Sequence, residues 1–322
     1  MKANEIIKES RNELVDRIIE NLENGYIFTK KQWNVAAFHP FNPLSGTYYR
    51  GGNRFRLMFA ATYYGYKDPR WMTFKQAKKA KYHIKKDAKG ILLEKWIFTK
   101  IVKEKNDLGE IEENEVELEH PYVRYFVVFN AEQIEGIEPF EDVPEVTEDE
   151  TLRIADIMIR SSLCVIDEGE RDEAFYSPKK DMICLPYRKY FKSNESFLAT
   201  LTHEMGHSTG HPNRLNRKIL NKFGSEEYAI EELNAEIAST FIMADLGVDM
   251  EEEIFNDHTN YIGSWIRVLK DDANTFFQAC AEAEKISNFL FMRYLAQEQQ
   301  ENGDMETVSY THLRAHETDQ YL

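Results

Sequence analysis

Apolar residues follow a helical period at the start of the chain and a strand-like pattern further on. Isoleucine and leucine recur every three or four positions over residues 3–24, and Gly25 follows as a stop signal. From Gly90 onward the chain is instead rich in β-branched and aromatic residues, interrupted by a turn-forming stretch at residues 106–109. The first 135 residues are therefore predicted to form a compact α+β unit. Its predicted elements are helices over residues 3–24, 53–64 and 73–80 and strands over residues 91–102 and 122–130.

The second half of the chain is predicted to be mainly helical. Residues 136–150 are acidic, contain two prolines and show no period, so we expect a domain linker there. The pattern then predicts helices over residues 147–162, 194–210, 225–246, 252–269 and 271–299 and short strands over residues 174–176 and 181–185. The predicted fold class is α+β with two domains: an N-terminal α+β domain over residues 1–138, a linker over residues 139–150, and a mainly helical domain with a small sheet over residues 151–306.

The last residues are excluded from this interpretation. Residues 307–318 read TVSYTHLRAHET, which resembles the translation of a common sequencing adapter. We therefore interpret residues 307–322 as a non-native tail and expect the true C-terminus near Glu306 or beyond a missing segment. His312 and His316 are spaced like metal ligands, but they belong to this tail.

The composition of the 322 residues, 42% apolar and 30% charged, is that of a globular protein. No run of 18 apolar residues occurs and the N-terminus lacks the apolar stretch of a signal peptide, so no membrane association and a cytoplasmic location are expected. Three cysteines without metal or redox spacing fit a reducing compartment.

The charge is distributed unevenly. Residues 50–105 contain 16 Lys and Arg and four acidic residues, which gives this segment a net charge of +12. Because the whole chain has a net charge of −16, the remaining residues together carry −28. A basic segment within an acidic protein indicates two surfaces with different partners. The acidic half is expected to repel nucleic acid and to leave the basic unit as its contact surface.

The strongest chemical motif is HEMGH at residues 203–207, an H-E-x-x-H sequence on a predicted helix. Positions i and i+4 share one face of a helix, so His203 and His207 can bind the same metal ion. Glu204 would then lie beside the metal and take a proton from bound water. A solvated helix that carries these residues by chance is the alternative.

A zinc site of this kind needs a third protein ligand. His211 lies two residues before the position that a longer histidine motif requires, which Asn213 occupies, so that class is rejected. Zincins with a glutamate ligand use a downstream helix, where Glu232 has the expected position and Glu236, four residues later, would accept the N–H of a ligand histidine. Glu231 is rotated from Glu232 by about 100° and is not expected to bind the metal.

Two further features near the motif are open to two interpretations. The strand at residues 181–185 could be an edge that pairs with an extended substrate peptide, or an ordinary core strand. Tyr228 and His258 are candidate oxyanion donors, although a buried tyrosine and a surface histidine explain them equally well.

These residues resemble a known family. The segment HEMGHSTGHPNRLNR at residues 203–217 is similar to the zincin-like metallopeptidase domain of ArdC-type antirestriction proteins and phage polyvalent proteins. Residues 49–53 (YRGGN), 69–77 (PRWMTFKQA) and 127–130 (VVFN) resemble that family's single-stranded-DNA-binding domain, with Gly52 where we expect a bulkier residue. The resemblance implies a protein of a plasmid, integrative element or phage that helps incoming DNA to evade restriction in a bacterial host.

Cations and aromatic residues alternate in the basic segment, as in proteins that bind single-stranded DNA by phosphate contacts and base stacking. Phe55, Phe59, Phe74 and Phe98 are expected in the core. The candidate DNA contacts are Tyr49, Arg50, Asn53, Arg54, Arg70, Trp71, Lys75, Gln76, Lys85 and Lys86.

The sequence therefore predicts a protein that binds single-stranded DNA and cleaves an unknown protein substrate with one Zn²⁺, or Mn²⁺ or another divalent ion, per chain. His203, His207 and Glu232 are the predicted ligands, Glu204 the general base and Glu236 the partner of a ligand histidine. One alternative is a non-catalytic protein that masks DNA and retains the zincin domain as a structural element. Another is a peptidase that repairs DNA–protein crosslinks.

Overall fold

The computed structural model describes residues 3–26, 28, 39–105, 111–141, 146–222, 224–249 and 259–302. Its N-terminal part is an α+β unit, as the hydrophobic pattern predicts. The elements are helices α1 (Ala3–Glu23), α2 (Gly51–Tyr64) and α3 (Phe74–Lys79) and strands β1 (Trp71–Thr73), β2 (His83–Ile84), β3 (Ile91–Lys105), β4 (Ile111–Asn130) and β5 (Ile134–Glu135). Thr73 caps α3 through a capping box with Gln76, which explains why the helix begins there.

The N-terminal sheet is antiparallel with strand order β1-β4-β3. Its two long strands form a hairpin in which Ile91 pairs with Val128 and Ile97 with Tyr122, and the register shifts between Ile97 and Thr99. Both strands extend further than predicted, because the charged outer part of the hairpin lacks the apolar pattern that marks a strand in the sequence. The predicted turn at residues 106–109 lies outside the described residues.

The C-terminal part is mainly helical with a small sheet. Its elements are helices α4 (Glu148–Ser161), α5 (Asn194–Ser208), α6 (Glu226–Asp245), α7 (Thr259–Asp271) and α8 (Asn274–Asn302) and strands β6 (Val165–Gly169), β7 (Phe175–Ser177) and β8 (Met182–Pro186). The predicted helix over residues 252–269 is found as α7, with residues 250–258 outside the described part of the chain. The α+β fold class is confirmed.

Strand β8 is the centre of the second sheet, which corrects one of the two interpretations made of it. The strand order is β6-β8-β7, with β6 parallel and β7 antiparallel to β8. Residues 182–184 are therefore paired on both sides, so this part of β8 is an internal strand and not an edge for a substrate peptide. Strand β6 occupies one side of β8. It was not predicted from the sequence, because its apolar alternation is short and mixed with acidic residues.

One apolar core contains side chains from both parts of the molecule. It runs from α1 and α2 to α5, α6 and α8, and it includes Phe55, Phe241 and Phe276 as fully buried side chains. At the junction, a Cβ atom on residue 52 would lie 2.6 Å from Cδ1 of Phe277, which explains Gly52 at a position where a bulkier residue is expected. Within the described residues, no helix is both long and apolar enough to cross a membrane.

Candidate metal centre

Helix α5 carries the H-E-x-x-H residues into the interior. The helix begins at a capping box between Ser193 and Ser196, and its apolar side chains pack in the core. His203 and His207 lie one turn apart on the same face, with 4.8 Å between ring centroids and 3.2 Å between their Nε2 atoms. The two Nε2 atoms therefore point to one place.

Helix α6 brings a carboxylate to that place. Glu232 Oε2 lies 3.6 Å from His203 Nε2, and Glu232 Oε1 lies 3.6 Å from His207 Nε2. One ligand atom from each of the three residues lies within 4.8 Å of the other two. Two imidazole nitrogens and a carboxylate, all largely buried, match the donor set of a divalent metal site. The chemistry of the cluster thus fits the predicted metal.

Each histidine also contacts a second carboxylate through its other ring nitrogen. His203 Nδ1 lies 3.3 Å from Glu236 Oε2, in the position that the sequence analysis predicted. His207 Nδ1 lies 3.3 Å from Glu231 Oε1. This contact was not predicted from the sequence, where Glu231 was considered only as a possible metal ligand. The acidic pair Glu231-Glu232 was the available signal.

The charges in the cluster are strongly coupled. Burial lowers the pKa of His207, but the Glu232 carboxylate and the contact with Glu231 outweigh burial and raise the pKa to about 9. The pKa of His203 is raised well above its ordinary value, because Glu232 and Glu236 overcome the effect of burial. Burial would raise the pKa of Glu232, whereas the two imidazoles lower it far below its usual range. The raised pKa values mean that the metal-free imidazoles hold protons. Imidazole must be neutral to bind a metal, so a bound cation would take the place of these protons.

Glu204 lies on α5 between the two histidines and is 8% exposed. It raises the pKa of His203 by its charge, which places it in the electrostatic environment of the cluster.

Tyr228 is half-buried in the first turn of α6, four residues before Glu232, and its role as an oxyanion donor stays a prediction. His258, the other candidate donor, lies outside the described residues.

The loop after α5 is tied to the small sheet rather than to the metal ligands. Arg214 donates to the carbonyl of Ser208 at 2.6 Å and to the hydroxyl of Tyr176 at 3.0 Å, and it pairs with Asp181. His211 Nε2 lies 4.0 Å from Asp181 Oδ2. His211 thus belongs to this second group of contacts. Among the described residues, the group that could hold a metal ion consists of His203, His207 and Glu232.

Comparison with known proteins places this geometry in a family. The model of the N-terminal domain of anti-restriction factor ArdC matches residues 8–129, and a zincin-like metallopeptidase model matches residues 153–282. The metal-free crystal structure of the antirestriction ArdC protein from plasmid R388 superposes with a TM-score of 0.68 and 30% identity, covering 89% of this chain and 98% of that chain. This chain belongs to the ArdC-type antirestriction family.

The R388 protein has also been solved with Mn(II) bound, and that structure superposes with a TM-score of 0.67 and 30% identity, covering 88% of this chain and 97% of that chain. The family assignment confirms the resemblance found in the sequence. Together with the cluster on α5 and α6, the zincin-like domain and this Mn(II)-bound relative indicate a divalent metal site in the ArdC-type chain.

Some relatives are much longer than this chain. Two Escherichia coli proteins named DNA primase TraC are 38% identical over 300 residues and 37% identical over 289 residues. These matches cover 89% and 86% of this chain but 27% and 19% of the primases. Uncharacterized protein y4eC of Sinorhizobium fredii (strain NBRC 101917 / NGR234) is 30% identical over 284 residues, which cover 86% of this chain and 90% of that protein. The shared region is one part of the primases and most of y4eC.

Two of the candidate DNA contacts in the ArdC-type N-terminal unit are buried, which corrects their assignment. Trp71 is fully buried where β1 pairs with β4, and its ring lies edge-on to Tyr66 at 5.9 Å between centroids. Arg54 is 2% exposed, and its guanidinium donates to Asp245 at 2.8 Å and to the carbonyl of Phe241 at 2.9 Å. Both side chains fill places in the packing and do not reach solvent.

Other candidates hold the fold together. Arg70 pairs with Asp68 at 2.7 Å and donates to the carbonyl of Glu138 at 2.7 Å. The hydroxyl of Tyr49 donates to the carbonyl of Trp71 at 3.2 Å, and burial raises the pKa of Tyr49 to about 12. These contacts give both residues a structural role.

Two polar candidates also bond to the backbone of their own unit. The side chain of Asn53 donates to the carbonyl of Glu94 at 2.7 Å and accepts from its N–H at 3.0 Å, which fixes α2 against β3. Gln76 closes the capping box with Thr73. An amide that satisfies both backbone groups of one strand residue is a strong structural anchor.

The remaining candidates are exposed cations. Arg50, Lys75, Lys85 and Lys86 are all exposed, and Lys85 donates to the carbonyl of Glu132 at 2.8 Å. These four residues are compatible with a contact to phosphate groups, and that role stays a prediction.

The aromatic residues divide differently from the prediction. Phe55 and Phe59 are buried as predicted, but Phe74 is 58% and Phe98 47% exposed, so their placement in the core is wrong. Phe98 stacks on Trp96, which is 46% exposed, with 6.2 Å between ring centroids. Both rings lie on the long hairpin, whose extent the sequence did not reveal.

Proposed function

We propose that this ArdC-type protein binds single-stranded DNA through its N-terminal unit and hydrolyses peptide bonds at a metal site in its zincin-like unit. The observation that carries the second part is the convergence of His203, His207 and Glu232, with Glu204 beside them on α5. Two histidines and one glutamate are the ligands of a known class of catalytic zinc sites. We therefore propose Zn²⁺ as the ion, with Mn²⁺ as the alternative that the R388 structure supports.

The residues have separate roles in this proposal. His203, His207 and Glu232 hold the metal, and the carboxylates behind the histidines orient the rings. When bound, the ion polarises the substrate carbonyl and lowers the pKa of a water molecule to about 7. The carboxylate of Glu204 would accept a proton from the attacking water and would return it to the leaving amine. Tyr228 is the candidate donor to the developing oxyanion.

The DNA-binding part rests on family membership and on the surface of the N-terminal unit. Exposed cations, which include Arg50, Lys75 and Lys86, can contact phosphate groups, and the exposed rings of Trp96 and Phe98 can stack on bases. The name of the two DNA primase relatives is in keeping with a DNA partner. Binding of this kind has little sequence preference, because every base offers a flat face.

The deciding variant is Glu204→Gln, which preserves size and removes the proton acceptor. We expect about one equivalent of metal per chain, as in wild type, and a fall in casein cleavage of about 10²- to 10⁴-fold. The exposed Glu226→Gln serves as a control and should match wild type in both measurements. Absence of metal from the wild type after reconstitution with Zn²⁺ or Mn²⁺ would contradict the peptidase proposal.

The same variant separates peptidase chemistry from DNA masking in cells. Loss of protection against restriction in Glu204→Gln would support a proteolytic mechanism. Full protection by a variant that retains metal and lacks cleavage would favour masking of the incoming strand. Cleavage of a DNA–protein crosslink only when single-stranded DNA is present would instead point to repair.

A further inference from the structure

His207 is held by a longer chain of contacts than the histidine–carboxylate pair that the sequence predicts. Glu231 Oε1 faces His207 Nδ1 at 3.3 Å. The same carboxylate accepts from Arg217 twice, from Nη2 to Oε1 at 2.7 Å and from Nε to Oε2 at 3.2 Å. The side chains of Arg217 and Glu231 are both 8% exposed, so this two-point contact is shielded from water. Such an arrangement fixes the plane of the carboxylate.

Arg217 is in turn fixed to the end of the helix that carries the histidine. Its Nη2 donates to the carbonyl of Gly206 at 2.9 Å and its Nη1 to the hydroxyl of Thr209 at 2.5 Å. The carbonyl of Gly206 is one of the last in α5, where a cation is also favoured by the helix dipole. Arg217, in the loop after α5, therefore connects the C-terminal end of α5 with Glu231 on α6, and Glu231 in turn contacts the ring of His207.

We propose that Arg217 and Glu231 act together as a positioning pair for His207 in the metal site. This inference rests on the proposed function, because it requires that the cluster binds a metal. A carboxylate at Nδ1 favours the tautomer with its proton on Nδ1, which leaves the Nε2 lone pair directed at the ion. Glu236 has the same relation to Nδ1 of His203, so each imidazole ligand has a carboxylate behind it. The residue pair at His207 adds an arginine that holds the carboxylate in place.

The experiment measures metal binding rather than catalysis. Zn²⁺ affinity is determined by competition with a chromogenic chelator, and Co²⁺ is bound to record the visible absorption spectrum of the site. We expect Glu231→Ala to weaken Zn²⁺ binding about 10- to 100-fold and to alter the Co²⁺ spectrum. Glu231→Gln retains an acceptor for Nδ1–H and should lie between Glu231→Ala and wild type. Arg217→Lys retains the charge but not the two-point contact, and it should weaken binding as well.

The matched control is Glu226→Ala, which removes an exposed carboxylate from the first turn of the same helix and should leave both readouts unchanged. Wild-type affinity and an unaltered Co²⁺ spectrum in Glu231→Ala would overturn the proposal. If that variant does not fold, Glu231→Gln decides, and equality with wild type in both readouts would overturn it. A wild type that binds neither ion would instead refute the metal site itself, and with it the proposed function.

Discussion

The metal cluster and the basic segment at residues 50–105 use charged residues in different ways. In the cluster, the charged groups are largely buried, and the carboxylate partners of the two histidines come from the facing helix, as for His203 with Glu232 and Glu236. In the basic segment, some charged groups are buried and others are exposed. Arg54 is buried against Asp245, whereas Lys75 and its neighbouring lysines are exposed.

The difference shows that one charged segment can serve two purposes. Arg54 belongs to α2 and Asp245 to α6, the helix that also carries the metal-site glutamates, so this arginine joins the two parts of the molecule. A planar guanidinium suits such a buried site because it can donate in several directions, here to Asp245 and to the carbonyl of Phe241. The exposed lysines remain available to a partner in solution.

The largest effect expected from this comparison is on stability. Arg54→Met keeps most of the volume but leaves Asp245 without its guanidinium partner, so we expect the free energy of unfolding to fall by about 3–5 kcal/mol. Urea denaturation of the metal-free proteins measures it. Lys75→Met removes an exposed charge from the same segment and should change stability by less than about 0.5 kcal/mol. Weakened DNA binding by Arg54→Met at unchanged stability would show that this arginine is a contact residue after all.

Metal binding should give the next largest effect. An ion that binds the folded state and not the unfolded state stabilises the protein. At a free concentration about 100 times its Kd, it raises the free energy of unfolding by about 2.7 kcal/mol. We expect this increase in the wild type on addition of Zn²⁺ and its reversal by a chelator. Glu232→Ala should lose the increase, because one of the three ligands is gone, whereas Lys75→Met should retain it. An equal increase in both variants would place the ion elsewhere.

The two regions also explain what could be predicted from the sequence. Helical spacing places His203 with His207 on one face and Glu232 with Glu236 on another, because residues four apart share one face wherever the helix lies. That the glutamates meet the histidines was expected from the zincin pattern and not from spacing. The contact between Glu231 and His207 does not follow from spacing on one helix, since it depends on how α6 packs against α5. It became visible only when the two helices were seen together.

The basic segment was less predictable for a related reason. A cation next to an aromatic ring has the same composition in a core as on a surface, so Trp71 and Phe98 were each assigned to the wrong environment. Their environment depends on the tertiary structure: Trp71 pairs with Asn130 and is fully buried, whereas Phe98 lies at the register shift of the hairpin and is exposed. Sequence alone did not reveal where the hairpin leaves the body of the protein.

Two tryptophans test this distinction directly. Trp96 is exposed and stacked on Phe98, so Trp96→Ala should weaken binding of a single-stranded oligonucleotide by about 1–3 kcal/mol if one base stacks there. Its stability should stay near that of wild type. Trp71→Phe, in the core, should instead lower stability and leave the affinity of the folded protein unchanged. Fluorescence anisotropy and urea denaturation provide the two measurements, and unchanged affinity in Trp96→Ala would remove the hairpin from the DNA surface.

The exposed lysines should produce the smallest effect, and it is best seen in the salt dependence. Each phosphate contact to single-stranded DNA contributes about 0.7 to the slope of log affinity against log salt concentration. Lys85 and Lys86 replaced together by Gln should therefore reduce the slope by about 1.4, with little change in stability. Lys179 and Lys180 offer a matched control, because they are also adjacent and exposed but follow β7 in the zincin-like unit. If the two double variants had equal slopes of log affinity against log salt concentration, the lysines of the N-terminal unit would contribute no more to DNA binding than those of the zincin-like unit. The difference in charge between the two units would then not determine where DNA binds.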